Sequence, residues 1–397
     1  MGMTRVAVRA ARCFASTQHD RINIPWQITS PPRYAKVWFE VLIVVGNLKF
    51  WIGIGISIAL LMLFLLTVDM GRMIDALSEV DYIYLAPAVA MYLVSIYFRS
   101  LRWSVLLRHM KPVSANRLYP VVVVGYMANN LLPMRLGELI RSYYLGEREG
   151  ISKTSALVTV FVERVFDAIT LLFFIMVIAL FVPEMKRVAQ SFGEESGIPW
   201  LLLVAGLSLP FIGALTTLVL FAVYPSKTRE LILWFAKLLP RRFEETLDSL
   251  IETFLLGLAP LRSMKMLGAL FLLSIPIWIT EAAVFFLIGL PFGFVGLHSG
   301  PGAMAVTMVL VTAITNIGSS IPAAPGGLGL FEIIARETLA LGPLVSVDRS
   351  VAAAFAVVVH AVILLPMIIL GQVILWTGHI SLGRLSREGQ RDTAPTP

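Results

Sequence analysis

Long apolar segments constrain this chain more than any other feature. Runs of roughly 18 or more apolar residues are long enough to cross a bilayer as helices. Only 14% of the residues are charged, whereas about 25% is usual for a soluble domain. The sequence therefore predicts an all-α, polytopic transmembrane bundle and excludes a cytosolic enzyme, a nucleic-acid-binding protein and a secreted disulfide scaffold. Six full spans are predicted, at 51–68, 82–98, 154–181, 199–223, 266–290 and 350–377.

Two further apolar stretches, 118–133 and 303–325, each reach a Pro/Gly break and continue into a charged helical piece. Broken, charged segments at membrane depth occur where they line a cavity or pack inside protein. We therefore predict two re-entrant, broken-helix hairpins, at 118–148 and 303–342. The alternative is that each is a pair of tilted short spans.

The distribution of basic residues predicts the orientation. The segments assigned to the cytoplasmic side hold 22 Lys and Arg residues, against 4 in those assigned to the opposite side. Such a bias places both termini in the cytoplasm, and we expect a multi-pass protein of a bacterial inner membrane.

The domain organisation follows from the same pattern. Residues 1–37 form a polar, basic, cytoplasmic arm, for which a transit peptide is the alternative. Residues 38–378 form the membrane domain and 379–397 a cytoplasmic tail. Between the halves, 224–265 carries apolar residues at helical spacing beside basic ones, which is typical of amphipathic helices at a membrane surface.

The two hairpins resemble each other. NNLLPMRLGELIRSYYLGEREGIS and SSIPAAPGGLGLFEIIARETLALG share a polar pair, Pro, Gly, Glu and then an amphipathic helix. Glu138 and Glu332 occupy matching places. This indicates an inverted repeat of about 51–181 and 266–378, an arrangement with which secondary transporters build a midplane site.

Ionisable residues cluster around the first hairpin, and at membrane depth such residues mark function by default. Either they form one buried salt-bridge network, or at least one arginine is available to an anionic headgroup; both can hold together. The predicted binding residues here are Asn129, Asn130, Arg135, Glu138, Arg141, Glu163, Arg164 and Asp167.

In the second hairpin, Gly326, Gly327 and Gly329 precede a helix that carries Glu332. A helix start with free backbone N–H groups attracts anions, although a Pro/Gly loop also serves any chain that turns. Arg336 is expected to pair with Glu332 at i,i+4.

Three arginines, Arg99, Arg102 and Arg108, follow the second predicted span. Ordinary anchoring at the cytoplasmic surface explains them. The functional alternative is a basic vestibule that gathers anionic lipid headgroups.

Together the strings RSLRW, GYMANNLLPMRLGELIRSYYL, FVERVFD and IPAAPGGLGLFE make the chain resemble the lysylphosphatidylglycerol synthase transmembrane-region family. The resemblance covers about residues 40–378. It implies a flippase-like membrane domain that moves a polar lipid between leaflets. The family's multiple peptide resistance factor adds a soluble aminoacyltransferase domain, which this sequence does not contain, so a lysylated lipid is in doubt as the cargo.

The resulting hypothesis is a flippase or scramblase for a phospholipid or glycolipid, without a cofactor, metal site or nucleic-acid partner. No Walker A string occurs, and one cysteine and five scattered histidines offer no metal-ligand spacing. No catalytic residue is predicted. The alternatives are a membrane enzyme acting on lipid-linked sugar or phosphate through the acids of 69–81, or a scaffold for a separate lipid-modifying enzyme.

Overall fold

The computed structural model describes residues 48–132, 136–183, 200–236, 244–320, 325–342 and 344–377. Within these ranges the chain is almost entirely helical and contains no strand, so the predicted all-α class is confirmed. The predicted arm (1–37), the predicted tail (379–397) and Arg135 lie outside the described residues.

The helices follow the apolar segments closely, and their starts and ends carry local signals. Ser152 and Ser263 accept hydrogen bonds from backbone N–H groups of the helices they precede, at 3.4 Å each. Gly150 ends a helix in the left-handed conformation, at φ 68°. In chain order the α-helices are α1 (Leu48–Leu66), α2 (Met70–Ser78), α3 (Leu85–Leu107), α4 (Ala115–Leu131), α5 (Gly137–Glu149), α6 (Lys153–Phe181), α7 (Trp200–Val223), α8 (Pro225–Ala236), α9 (Glu244–Leu258), α10 (Met264–Gly289), α11 (Phe294–Leu297), α12 (Pro301–Gly318), α13 (Leu330–Ala340) and α14 (Arg349–Thr377).

Five of the described helical segments are long and apolar enough to cross a membrane, or six if the bent pair α1 and α2 counts as one span. A polytopic helical membrane protein is therefore confirmed. These segments are Tyr82–Leu107, which includes a 3-10 turn before α3, together with α6, α10, α12 and α14.

The stretch 69–81, whose acids the enzyme alternative uses, contains α2, which is bent by 87° from the helix before it. Asp69 begins this helix by accepting a hydrogen bond from the backbone N–H of Arg72, at 3.2 Å. In the second hairpin, α12 alone has the length and composition of a full span, so this hairpin admits either a re-entrant or a crossing path.

The two halves pair their helices in the same way. In the first half, α3 packs on α4, α4 on α5 and α5 on α6; in the second, α10, α12, α13 and α14 repeat this order. Between the halves, α4 packs on α14, and the equivalent helices α12 and α6 pack in the same way. The helices α3 and α10, which are equivalent to each other, also pack together. Matching lengths support the pairing, because α4 and α12 have 17 and 18 residues and α6 and α14 have 29 each. This is the packing of an internal repeat, and with the predicted orientation the repeat is inverted.

Glycines allow the arms of the first hairpin to touch. A Cβ atom on Gly137 would lie 2.1 Å from the carbonyl oxygen of Gly125, so α5 packs directly on the backbone of α4. Small residues that permit such close approach are the usual means of packing membrane helices.

Candidate functional site

A polar cavity of about 150 Å³ lies where the ends of the two hairpins meet. Since a cavity needs roughly 10–15 Å³ to hold one water molecule, this space has room for several. Residues of both halves border it: Tyr92, Arg99, Tyr126, Asn129, Asn130, Arg164, Trp278, Glu281, Asn316, Ser319, Gly326, Gly327, Phe331, His360, Ile363 and Leu364.

The cavity lies across the repeat, because equivalent positions of the two halves face it. Asn130 lies fifteen residues after the first residue of α4, and Asn316 fifteen after the first residue of α12. Arg164 and His360 each lie eleven residues after the start of α6 and α14. The structure therefore brings together pairs of side chains that are nearly 200 residues apart in the sequence.

The hairpin tips approach each other through Gly326. This residue has φ 61° and a Cβ atom there would lie 3.3 Å from the carbonyl oxygen of Asn130. Only glycine adopts this conformation without a steric cost. The side-chain amide of Asn130 also reaches across, with Nδ2 lying 3.5 Å from the carbonyl oxygen of Leu364 in α14.

Asp167 is the centre of a buried charge network beside the cavity. Its carboxylate accepts a hydrogen bond from Arg102 at 2.7 Å and lies 3.3 Å from Arg164 and 3.6 Å from Arg99. Arg99 in turn contacts Glu281 of α10 at 2.5 Å. Glu281, which stands alone in its span in the sequence, thus receives its partner from α3.

Glu163 extends the network away from the cavity. It pairs with Arg141 of α5 at 2.8 Å and lies 3.7 Å from Arg102. The guanidinium of Arg141 also lies 3.6 Å from the ring centre of Trp103, a stacked cation–π contact. Arg141 is buried and is not among the residues that border the cavity, so the structure does not place this predicted binding residue at the cavity.

Opposite charges in this network balance. Its four arginines are Arg99, Arg102, Arg141 and Arg164, and its four acids are Glu138, Glu163, Asp167 and Glu281. Buried charges persist in a low-dielectric environment when each has a close partner. The hydrogen-bonding capacity of the arginines is not used up, since Nε and Nη1 of Arg99 and Nε of Arg164, two residues that border the cavity, have no hydrogen-bond partner among the described residues.

A second acid–base pair lies on the other side of the cavity. Nδ1 of His360 is 2.6 Å from Oε1 of Glu332, and Nε2 is 2.9 Å from the carbonyl oxygen of Gly326. A carbonyl oxygen only accepts, so Nε2 carries a proton. The Nδ1–Oε1 contact then holds one further proton, which makes the pair neutral in total whichever atom carries it.

The helix start after the glycine loop is already occupied. The other carboxylate oxygen of Glu332 accepts a hydrogen bond from the backbone N–H of Gly329 at 2.7 Å. A Cβ atom on Gly329 would lie 2.7 Å from the backbone of Leu61, so this glycine serves packing against α1. The helix's own carboxylate thus occupies the N–H group of Gly329 at the predicted anion site, while Gly326 and Gly327 border the cavity.

The spacing of Arg336 and Glu332 predicts an ion pair between them, but the structure does not contain it. It contacts Glu337 at 2.7 Å and donates to the hydroxyl of Thr67 at 2.8 Å. Glu332 instead forms a pair with the nearby His360.

Two of the three arginines of the predicted basic vestibule lie inside the fold, and one of them, Arg99, borders the cavity. Arg99 and Arg102 are buried, the latter with 1% of its surface exposed, because α3 continues past them to Leu107. Carboxylates on α6 and α10 provide the compensation that the local sequence does not show. Arg108 is exposed after the end of the helix, as expected for a surface position.

Several cavity residues were not predicted. Trp278 and Tyr126 place their rings 4.8 Å and 5.6 Å from the guanidinium of Arg99. In the sequence they resemble ordinary apolar core residues. Asn316 had a detectable signal, since it is a lone amide within the apolar run of α12.

Comparison with known proteins gives a consistent result. The model of the lysylphosphatidylglycerol synthase TM region matches residues 50–371. The chain is 25% identical over 353 residues to glycosyltransferase AglD of Haloferax volcanii, which covers 85% of this chain and 54% of AglD. This chain thus spans about half the length of that relative. It is also 23% identical over 300 residues to a UPF0104 membrane protein of Methanothermobacter thermautotrophicus, covering 72% of the chain and 82% of that protein. No solved structure matches.

Proposed function

Because this chain belongs to the lysylphosphatidylglycerol synthase transmembrane-region family, we propose that it moves a lipid with a polar headgroup between the two leaflets of a membrane. The headgroup occupies the cavity between the hairpin tips while the acyl chains remain in the bilayer. The protein works with both termini in the cytoplasm, in the inner membrane of a bacterium.

The observation that supports this proposal is a polar cavity inside a bundle of membrane-spanning helices, bordered by the ends of α4 and α12 and by the glycines before α13. A polar headgroup crosses hydrocarbon slowly because it loses its hydrogen bonds to water. Amides, an indole and ion-paired side chains around the cavity replace those bonds. Broken helices beside a central site are also the arrangement on which alternating access is built in transporters.

The paired halves supply the movement. Rocking the first half against the second opens the cavity to one leaflet and then to the other. Asn130 and Asn316 come from opposite halves, so the headgroup keeps an amide partner on each side throughout the cycle.

The enzyme alternative relies on acids of the segment 69–81. Two of them, Asp69 and Asp81, each accept a hydrogen bond from a backbone N–H at the start of a helix, at 3.2 Å and 3.1 Å. No group of three His, Cys, Asp or Glu side chains suited to a metal ion occurs within the described ranges.

Reconstitution tests the proposal. Purified protein is placed in liposomes that contain lipids labelled on one acyl chain, and a membrane-impermeant reductant destroys the label in the outer leaflet. We expect lipid crossing to be at least about tenfold faster than in protein-free vesicles. Crossing no faster than in those vesicles, for every headgroup tried, contradicts the proposal.

A blocking variant shows whether the cavity is the route. Asn316→Trp fills the cavity and is expected to return crossing to the protein-free rate. Asn116→Trp is the matched control, since Asn116 is exposed near the start of α4. Equal crossing by both variants would place the route elsewhere.

A further inference from the structure

We infer that this protein couples the movement of the lipid to the movement of a proton, which the buried pair of His360 and Glu332 carries. The inference rests on the proposed function and adds its energy source. Its grounds are an asymmetry between the two halves, the hydrogen bonds of the pair and the position of the pair beside the cavity.

The two halves place different acid–base pairs at equivalent positions. Arg164 in α6 corresponds to His360 in α14. Glu138, in the first turn of α5, likewise corresponds to Glu332, in the first turn of α13. Arginine keeps its proton in proteins, whereas histidine exchanges one between about pH 5 and 8. Of these two pairs, the one in the second half is therefore the one that can release a proton.

The proton cannot leave without the loss of a contact. Nε2 of His360 donates to the carbonyl oxygen of Gly326, and Nδ1 shares one proton with the carboxylate of Glu332 at 2.6 Å. After release, one ring nitrogen is unprotonated and faces an oxygen atom that also offers only lone pairs. The ring itself is held by stacking on Phe331, at 4.1 Å between the ring centres. Release therefore loosens the second hairpin either at Gly326 or at Glu332.

The contact to Gly326 lies where the two halves meet. A Cβ atom on Gly326 would lie 3.3 Å from the carbonyl oxygen of Asn130 in the first half. His360 and Gly326 both border the cavity, which has room for several water molecules. Water in the cavity accepts the proton and passes it to the side of the membrane to which the cavity is open. The proton and the headgroup thus use the same space in the same cycle.

The other charged and titratable groups of the cavity come from the helices around the pair. They are Arg99 and Tyr92 on α3, Tyr126 on α4, Arg164 on α6 and Glu281 on α10. The arginines and Glu281 are held in ion pairs with one another or with Asp167. The histidine is therefore the cavity residue whose charge changes most readily near neutral pH.

The hydrogen-bonding atoms of the cavity residues favour a negatively charged headgroup. Four donors lack a partner among the described residues: Nε and Nη1 of Arg99, Nε of Arg164 and Nε1 of Trp278. One acceptor, Oδ1 of Asn129, is in the same situation. A phosphate group offers several acceptor oxygens and a negative charge, which suits these donors.

Charge then determines the direction of coupling. When the proton leaves, the pair of His360 and Glu332 changes from neutral to one net negative charge. Inside a protein such a charge repels a negatively charged headgroup more strongly than it would in water. The cavity with bound headgroup thus favours the protonated pair, so an anionic lipid and the proton cross together in the same direction.

A pH gradient across proteoliposomes tests the coupling. The vesicles contain phosphatidylglycerol labelled on one acyl chain, and their lumen is about one pH unit more acidic than the outside. Valinomycin and equal potassium concentrations hold the membrane potential at zero. One proton for each singly charged lipid makes the transfer electroneutral, so one pH unit supports about a tenfold ratio of lipid between the leaflets.

We expect the label to become about tenfold enriched in the outer leaflet, as measured with the membrane-impermeant reductant. Reversing the gradient should reverse the enrichment, and an ionophore that dissipates the gradient should abolish it. Protein-free vesicles under the same gradient show how much enrichment arises without the protein.

Two matched variants assign the coupling to the pair. His360→Gln has no exchangeable ring proton and should distribute the label equally at every gradient. His298→Gln is the control, because His298 is also buried and hydrogen-bonded through both ring nitrogens but is not among the residues that border the cavity. It should keep the tenfold ratio. Thermal unfolding identifies a variant that has not folded, and a folded His360→Gln variant that still enriches the label overturns the inference.

Binding in detergent micelles gives a result that does not require transport by the variant. Short-chain phosphatidylglycerol should bind the unmodified protein more weakly as the pH rises, by up to about tenfold per pH unit once the pair loses its proton. Binding to His360→Gln should not change over the same range. Equal pH dependence in the two proteins overturns the inference even where the variant moves no lipid.

The outcomes separate this inference from the proposed function. Phosphatidylglycerol that crosses but is distributed equally at every gradient overturns the inference and leaves the lipid-moving function standing. The same holds if the lipids that cross are all uncharged. If no labelled lipid crosses faster than in protein-free vesicles, both are overturned.

Discussion

Replacing Asp167 by Asn removes the charge at the centre of the buried network. Its carboxylate lies within 3.6 Å of three arginines and the side chain is 7% exposed. The substitution keeps the shape but leaves four arginines facing three acids. Breaking a buried ion pair by removing one partner costs about 3–5 kcal/mol, because an uncompensated charge remains. We expect the free energy of unfolding to fall by that amount.

Equilibrium unfolding in mixed detergent micelles measures this loss. Arg117→Gln is the control, because it removes an ion pair with Glu149 in which the arginine is 64% exposed. Exposed pairs contribute about 0–1 kcal/mol, so this variant should unfold almost like the unmodified protein.

A double variant tests whether charge balance is the cause. Arg164→Gln combined with Asp167→Asn removes one charge of each sign from side chains that lie 3.3 Å apart. The double variant should lose less stability than the sum of the single losses, by about 1–3 kcal/mol. An Asp167→Asn variant within about 1 kcal/mol of the unmodified protein, or strictly additive losses, would refute the reasoning and indicate that water screens the network.

Two further predictions concern the hairpin and the orientation. Gly137→Ala should destabilise the protein by about 3 kcal/mol or more, because its Cβ would lie 2.1 Å from a backbone oxygen of α4. The control is Gly302→Ala, whose Cβ would meet no atom within 4 Å and which should change stability by less than about 0.5 kcal/mol. Equal unfolding midpoints for the two variants would contradict this prediction. In a Cys13→Ser background, which contains no other cysteine, single cysteines at Arg108 and Leu297 should react with an impermeant maleimide from opposite sides of the membrane. Labelling of both from one side would refute the predicted orientation.

The helical class and most of the spans were predictable because hydropathy and length determine them locally, but the described segments with the length and composition of a span include α12 and not the predicted span 199–223. The pairing of the halves was also visible, since both hairpins carry the same Pro, Gly and Glu order. The partners of Arg99 were not predictable, because Asp167 and Glu281 are far away in the sequence. A hydropathy-based prediction ends the span before Arg99 because arginine is charged. In the fold, carboxylates compensate this charge and α3 continues to Leu107. Trp278 was missed for the opposite reason, since an aromatic residue within an apolar span looks like packing.

The distribution of ion pairs between the halves bears on how the cavity changes access. Glu138 contacts Arg164 at 3.9 Å within the first half, and Glu332 contacts His360 at 2.6 Å within the second. Each hairpin is thus tied to the long helix that follows it, and rocking one half against the other breaks neither contact. Within the described charge network, the ion pair that joins the halves is the one between Arg99 and Glu281, on the crossing helices α3 and α10. For the proposed lipid movement, a pivot at this crossing would keep that pair intact while the two hairpins separate, so that the cavity would open without exposing a bare charge to the bilayer.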